Sequence, residues 1–183
     1  MNMNRIAPDA AFKTEAVSEL AQKVGSKLAQ RFGEGILTSE ILYDFPTFTV
    51  QRDLVDDILS FLYNDTELEF QFLTTVCGLH YPENVGAELG VMYQLHNLPN
   101  NWRIRLKTFA PIGDPKVPTA TTVFASANWQ ERETYDFYGI EFVGHPNLSR
   151  ILNMDEMTYF PLRKEYPLED LQREDKNDTM FGR

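Results

Sequence analysis

Between Thr14 and Phe32, Val17, Leu20, Ala21, Val24 and Leu28 recur at helical spacing, while Lys13, Glu15, Glu19, Lys23, Lys27 and Arg31 fall mostly off that stripe. The pattern predicts an amphipathic helix ended by Gly33 and Gly35. Ile36 to Tyr43 and Thr47 to Val50 read as two short strands around Asp44 to Pro46. A second helix follows, with Leu54, Val55, Ile58, Leu59 and Leu62 on its inner side. Asp53 is its expected cap, Asp56 sits near the positive end of its dipole, and Asn64-Asp65 closes it.

The period then changes from helical to twofold. Leu68, Phe70 and Phe72 alternate with Glu67, Glu69 and Gln71, predicting a half-buried strand that runs on toward Cys77. Tyr81 to Asn84 forms a loop, and Leu89, Val91, Tyr93 and Leu95 alternate again. Beyond a turn at Asn97 to Asn101, Trp102, Ile104 and Leu106 face one way and Arg103, Arg105 and Lys107 the other. Three strands this close in sequence read as an antiparallel meander. The basic stripe has two readings: a solvated sheet face, or a surface for an acidic partner if the sheet is packed on one side only.

Pro111, Gly113, Pro115 and Pro118 mark an irregular connection of about ten residues. A last helix is expected to start at a Thr121 or Thr122 cap and to end at Gly139, where a residue free to take positive φ is wanted. On it Trp129, Arg132, Glu133 and Asp136 share one face, with Arg132 and Asp136 spaced to pair along the helix. Phe124, Ala127, Glu131, Tyr135 and Tyr138 form a second face. Both faces mix aromatics with charge, so the helix should be covered on two sides. From Asn153 onward no period persists. The expected architecture is α+β: a mixed, largely antiparallel sheet of four to six strands packed by two or three helices. It divides into a flexible N-terminus over 1–12, a single domain over 13–152 and an extended C-terminal arm over 153–183.

Composition removes several function classes. The 183 residues carry a formal net charge of −10, which disfavours nucleic acid and anionic lipid as main ligands. Ten acids and one base, Arg52, lie between Glu40 and Glu88. Cys77 is the sole cysteine, so no disulfide, iron–sulfur cluster or CxxC zinc site is available within the chain. It is expected to be a small buried hydrophobe. No apolar run reaches the roughly 20 residues that span a bilayer, so no direct membrane insertion is expected. Nucleotide-binding glycine fingerprints are absent.

Glu133, Asp136 and His145 invite an acid–base or metal reading. Weighed against it, Arg132 directly precedes Glu133 and can neutralise one of the acids, and the other histidines, His80 and His96, sit at strand ends or loops. A buried polar network fixing the helix to the following loop is the stronger reading. His145-Pro146 reads as a turn whose imidazole bonds a backbone carbonyl.

One segment also carries a resemblance. Glu131-Arg132-Glu133, Tyr135-Asp136, Phe137 to Ile140, Phe142, Gly144-His145-Pro146 with Leu148, Arg150-Ile151-Leu152, Pro161-Leu162-Arg163-Lys164 and Tyr166-Pro167 resemble the signature of the C subunit of the proton-translocating NADH:quinone oxidoreductase, respiratory complex I. Glu165, Tyr159-Phe160 and Ser149 depart from the pattern usual there. The resemblance implies a non-redox structural subunit of the hydrophilic arm, packed against the quinone-site D subunit. It implies no cofactor in this chain, with FMN and iron–sulfur clusters in partner subunits, and a peripheral place on the cytoplasmic side of the inner membrane. Trp129, Glu131, Arg132, Glu133, Asp136, Gly139, His145, Pro146, Arg150, Arg163 and Lys164 are the implied interface or signature network. Related ferredoxin-driven complexes and membrane-bound hydrogenases use similar subunits. A free-standing enzyme using Glu133, Asp136 and His145 is the rival of a different class.

Overall fold

The structure, a computed structural model, describes residues 10–166. Helix α1 (Ala10–Phe32) leads into strands β1 (Ile36–Leu42) and β2 (Phe45–Val50). Helix α2 (Val55–Asn64) follows, then β3 (Phe72–His80), β4 (Leu89–Asn97) and β5 (Trp102–Ala110). Short β6 (Lys116–Pro118), α3 (Ala127–Tyr138) and short β7 (Glu141–Val143) complete the regular structure. The main sheet runs β1-β2-β5-β4-β3, and β6 pairs with β7 separately.

The α+β reading holds. The meander β3-β4-β5 is antiparallel, as the alternation predicted. The β1–β2 hairpin joins it through a parallel pairing in which Thr47, Phe48 and Thr49 lie beside Arg105, Leu106 and Lys107.

Leu20, Val24 and Leu28 of α1 and Ile58, Leu59 and Leu62 of α2 meet Phe48, Val91, Tyr93, Leu95, Ile104 and Leu106 in one buried cluster. Their helical spacing on one side and twofold spacing on the other let each element turn its apolar side inward. At roughly 1.5–3 kcal/mol for each fully buried large side chain, this cluster is the main stabilising term.

Several local expectations are corrected. Leu68 and Phe70 are fully buried but lie outside any strand. Residues 66–68 form a turn, and Glu69 takes a positive φ of 41°. The alternation there comes from a compact turn that tucks two apolar side chains under α2, and Phe72 opens the strand exposed. A register shift between Leu73 and Thr75 then resets which β3 residues face inward. Asp53 does not cap α2. It lies in a 3₁₀ turn over Arg52–Leu54, and the N-cap residue Leu54 offers no side-chain bond. The loop after Pro111 contains β6, which the prolines concealed. Helix α3 begins at Ala127 behind Ser126, not at Thr121 or Thr122, because Thr122 instead donates to Asp56 on α2 at 2.6 Å. Cys77 is half-buried, with its side chain on the sheet face away from the core.

Candidate functional site

Helix α3 is covered on its core side, and on its outer side its own downstream chain covers Asp136 and part of Arg132 while Trp129 and Glu133 stay exposed. On the core side Ala127, Glu131 and Thr134 are buried. Glu131 accepts from the Thr119 hydroxyl and the Ala120 N–H, both at 2.6 Å, which pins the β6–α3 connection to the helix. Burial pushes its carboxyl up to about 7, against the two donors, which pull it down.

On the outer side, Asp136 is fully buried and saturated. Its Oδ1 accepts from Arg150 at 2.7 Å and from the Asn153 side chain at 3.0 Å. Its Oδ2 accepts the backbone N–H groups of Ile151, Leu152 and Asn153 at 3.1, 2.8 and 2.9 Å. Burial alone would raise this carboxyl. The Asn153 and Leu152 N–H groups, Arg150 and the Asn153 amide outweigh it and hold the group well below the usual carboxylate range.

Arg150 extends the knot outward by donating to the carbonyls of Met157 and Tyr159 at 2.7 and 3.3 Å. The expected Arg132–Asp136 pair does not form. Arg132 instead donates to the carbonyls of Ser149 and Arg150, both at 3.1 Å, and lies over the Trp129 ring. A partner 14 residues ahead satisfies Asp136 better than one a turn away, because it arrives together with three backbone donors.

Gly139 sits at φ 72°, as a helix terminator should, and its N–H bonds Tyr135 O. It also admits the arm: a Cβ there would fall 2.4 Å from Phe160 and 2.7 Å from Arg163. Arg163 caps the helix end by donating to Tyr138 O at 2.7 Å and stacks on Phe160. The Lys164 N–H donates to His80 Nδ1 at 2.9 Å, tying the arm to the end of β3. His145 bonds Asn128 O through Nε2 and accepts the Asn147 N–H at Nδ1, so its turn role holds. Pro146 is exposed beside it.

The acid–base trio is not brought together. Asp136 has no free lone-pair direction, Glu133 is exposed, and His145 bonds Asn128, about 12 Å of helix rise from Asp136. Among the described residues no group of three or more His, Cys, Asp or Glu side chains is placed to hold a metal ion. Glu133 borders a small cleft between α3 and β3 with Cys77, Gly78 and Tyr138. Sequence reading missed Asn153, which supplies two bonds to Asp136, and Thr119, which holds Glu131. Neither has a periodic signal, since each acts from irregular chain.

Around this knot several large apolar side chains are exposed, interleaved with charged ones such as Glu133, Glu141, Asp155 and Glu156. Trp129 is 63% exposed, and Val143, Leu152, Met154, Tyr159, Leu162 and Tyr166 are also exposed. No helix among the described residues is long and apolar enough to cross a membrane.

Residues 48–172, which include the whole knot, match the family model described as "Respiratory-chain NADH dehydrogenase, 30 Kd subunit". The chain is 40% identical over 161 residues to a protein named as the C subunit of NADH-quinone oxidoreductase from Mycolicibacterium gilvum, covering 88% of this chain and 70% of that one. It is 43% identical over 122 residues to the protein of the same name from Streptomyces coelicolor, covering 67% of this chain and about half, 49%, of that one. A solved trypsin-resistant fragment (1-134) of Nqo5 is similar at 29% identity and a TM-score of 0.57, covering 74% of this chain and 99% of the fragment. A chain of an archaeal membrane-bound sulfane sulfur reductase shares the fold at 20% identity and a TM-score of 0.66, covering 87% of this chain and 95% of that one. The chain belongs to the family of the 30 Kd subunit of respiratory-chain NADH dehydrogenase.

Proposed function

We propose that the chain is a non-redox structural and assembly subunit in the hydrophilic arm of NADH:quinone oxidoreductase, packed against the quinone-site D subunit. In this reading electrons pass from NADH through FMN and iron–sulfur clusters in partner subunits to quinone, coupled to proton translocation. The chain contributes shape and attachment and does no chemistry itself. It is held through the complex on the cytoplasmic side of the membrane.

The carrying observation is the pairing of a closely hydrogen-bonded knot with a set of large exposed apolar side chains on the same segment. Asp136, Arg150 and Gly139 use their hydrogen bonds and their space internally, so they fix the course of the chain and touch no ligand. The same segment leaves Trp129, Val143, Leu152, Met154, Tyr159 and Leu162 facing out. A run of large exposed apolar side chains on a stiff support fits a buried protein interface.

The test is an affinity pull-down from native membranes in mild detergent, comparing the wild-type chain with a Leu152→Asp/Met154→Asp variant. Wild type should recover the quinone-site subunit together with flavin and iron–sulfur partners, and the variant should recover at least tenfold less. Equal recovery by both would remove the interface role given to this surface. The identity of the recovered input subunits also names the electron donor.

A further inference from the structure

Helices α1 and α2 cover one face of the sheet, α3 lies along the β3 edge, and among the described residues no helix covers the other face. Register assigns the faces. Leu106, Tyr93 and Val76 form a row on the core side. The adjacent row, Lys107, Met92 and Cys77, points the other way, with Thr49 of β2 beside it. The next row on that side is Arg105, Gln94 and Thr75, flanked by Thr47 and Glu40. Met92, Gln94, Arg105 and Lys107, in the middle of the face, are half-buried.

Arg103, Arg105 and Lys107 stand on this face about 6.6–7 Å apart along β5. None of them makes an ion pair among the described residues. Lys27, Arg52, Lys116, Arg150 and Arg163 each find an acid partner. In a chain of net charge −10, three cations are thus gathered on one face with no acid partner among the described residues. The strands contribute a single acid there, Glu40, two strand positions away from Arg105, and Glu133 of α3 stands at the opposite rim beside Cys77. Arg105 is held in place: its guanidinium lies 4.1 Å from the Phe45 ring centroid, and its Nε donates to Gln94 at 3.4 Å.

We propose that this open sheet face docks an acidic segment of a second protein subunit, with two or three carboxylates spaced to meet Arg103, Arg105 and Lys107. The inference rests on the chain working inside the complex, and the surface is separate from the α3–arm surface. Carboxylates at alternate positions of a strand, or three to four apart on a helix, have the required spacing of about 6 Å. The mixture of Arg with Met92, Phe45 and Phe109 suits the core of a protein interface. A polyanion such as nucleic acid or an anionic bilayer would have to approach against the overall negative field, and three cations give it little hold.

The experiment uses the complex purified through a tag on a different subunit. A carbodiimide cross-linker joins amines directly to nearby carboxylates, and mass spectrometry locates the joined peptides. Lys107 should be linked to an Asp or Glu of another subunit, and its acetylation should be at least tenfold slower in the complex than in the isolated full chain. An Arg103→Glu/Lys107→Glu chain should melt like wild type alone, since these side chains make no hydrogen bond or ion pair among the described residues, yet enter the complex at least tenfold less at 150 mM salt. Unchanged acetylation of Lys107 in the complex overturns the proposal, as does a Lys107 link to this chain's own acids or protection that vanishes on delipidation. If the variant fails to fold, the wild-type footprint decides alone. If the wild-type chain is missing from the purified complex, the assembly reading itself falls, which separates the two failures.

Discussion

Arg150 grips Asp136 twice, donating from one guanidinium nitrogen to the carboxylate at 2.7 Å and to the same residue's backbone carbonyl at 3.0 Å. The pair joins the last turn of α3 to the chain that follows β7, with the arginine only 9% exposed at its side chain and the aspartate fully buried. Removing the aspartate side chain strands Arg150 Nη1 from its carboxylate together with three backbone N–H groups. Asp136→Ala is expected to cost about 3–5 kcal/mol, the range for breaking a buried pair. Urea unfolding of the isolated chain checks this, and a loss under about 1 kcal/mol would contradict the network as described.

The pH dependence follows from opposite shifts on two helix positions. Asp136 is depressed in the fold, so its contribution is complete above the ordinary aspartate range near 4 and fades as the pH falls below it. Glu131 is raised to about 7 from 4.5, so its sign is reversed: the folded state holds the proton longer, and stability is lost as the pH rises from 4.5 through 7. Glu131→Gln should therefore flatten the stability profile between pH 5 and 8 relative to wild type. Midpoints of denaturant unfolding across that range measure it, and parallel profiles for the two proteins would refute the assignment.

Gly139 answers to two constraints that a double mutant separates. Its φ of 72° penalises any side chain, and Phe160 and Arg163 fill the space a Cβ would need. Gly139→Ala should destabilise by about 1–3 kcal/mol. Adding Phe160→Ala should make the pair less costly than the sum of the singles, because only the steric part is relieved. Additive costs would show that the backbone conformation alone accounts for the glycine.

Burial pushes the Cys77 thiol up, with Arg105 pulling it down and Glu133 adding to the rise. Despite partial exposure, it should alkylate with iodoacetamide at pH 7.5 several-fold more slowly than a free peptide thiol. Labelling at or above the peptide rate would mean that the cleft beside α3 opens in solution.

Strand β5 was legible because nothing competes with its alternation: Ile104 and Leu106 go to the core, and Arg103, Arg105 and Lys107 do not. The Leu68–Phe70 alternation misled because a turn with one positive φ mimics a strand over three residues. At α3, the terminator Gly139 was readable from residue type, whereas the start was not, since Ser126 makes no side-chain cap bond and the nearby threonines serve other partners. The Asp136 network was half readable. The need for a partner shows in a buried-spaced acid, but helical spacing favours Arg132, and only the folded loop reveals that Arg150 and Asn153 reach it first.

The parallel β2–β5 junction sets an order of assembly. Hairpin β1–β2 and meander β3-β4-β5 each close over short stretches, yet Thr47 must wait for Arg105, 58 positions later, before the sheet is continuous. Closing that longer loop costs entropy before any contact repays it. The expected route is therefore two locally formed halves that dock late, and the half bearing the three sheet cations is committed to its shape before the first helix and hairpin are locked against it.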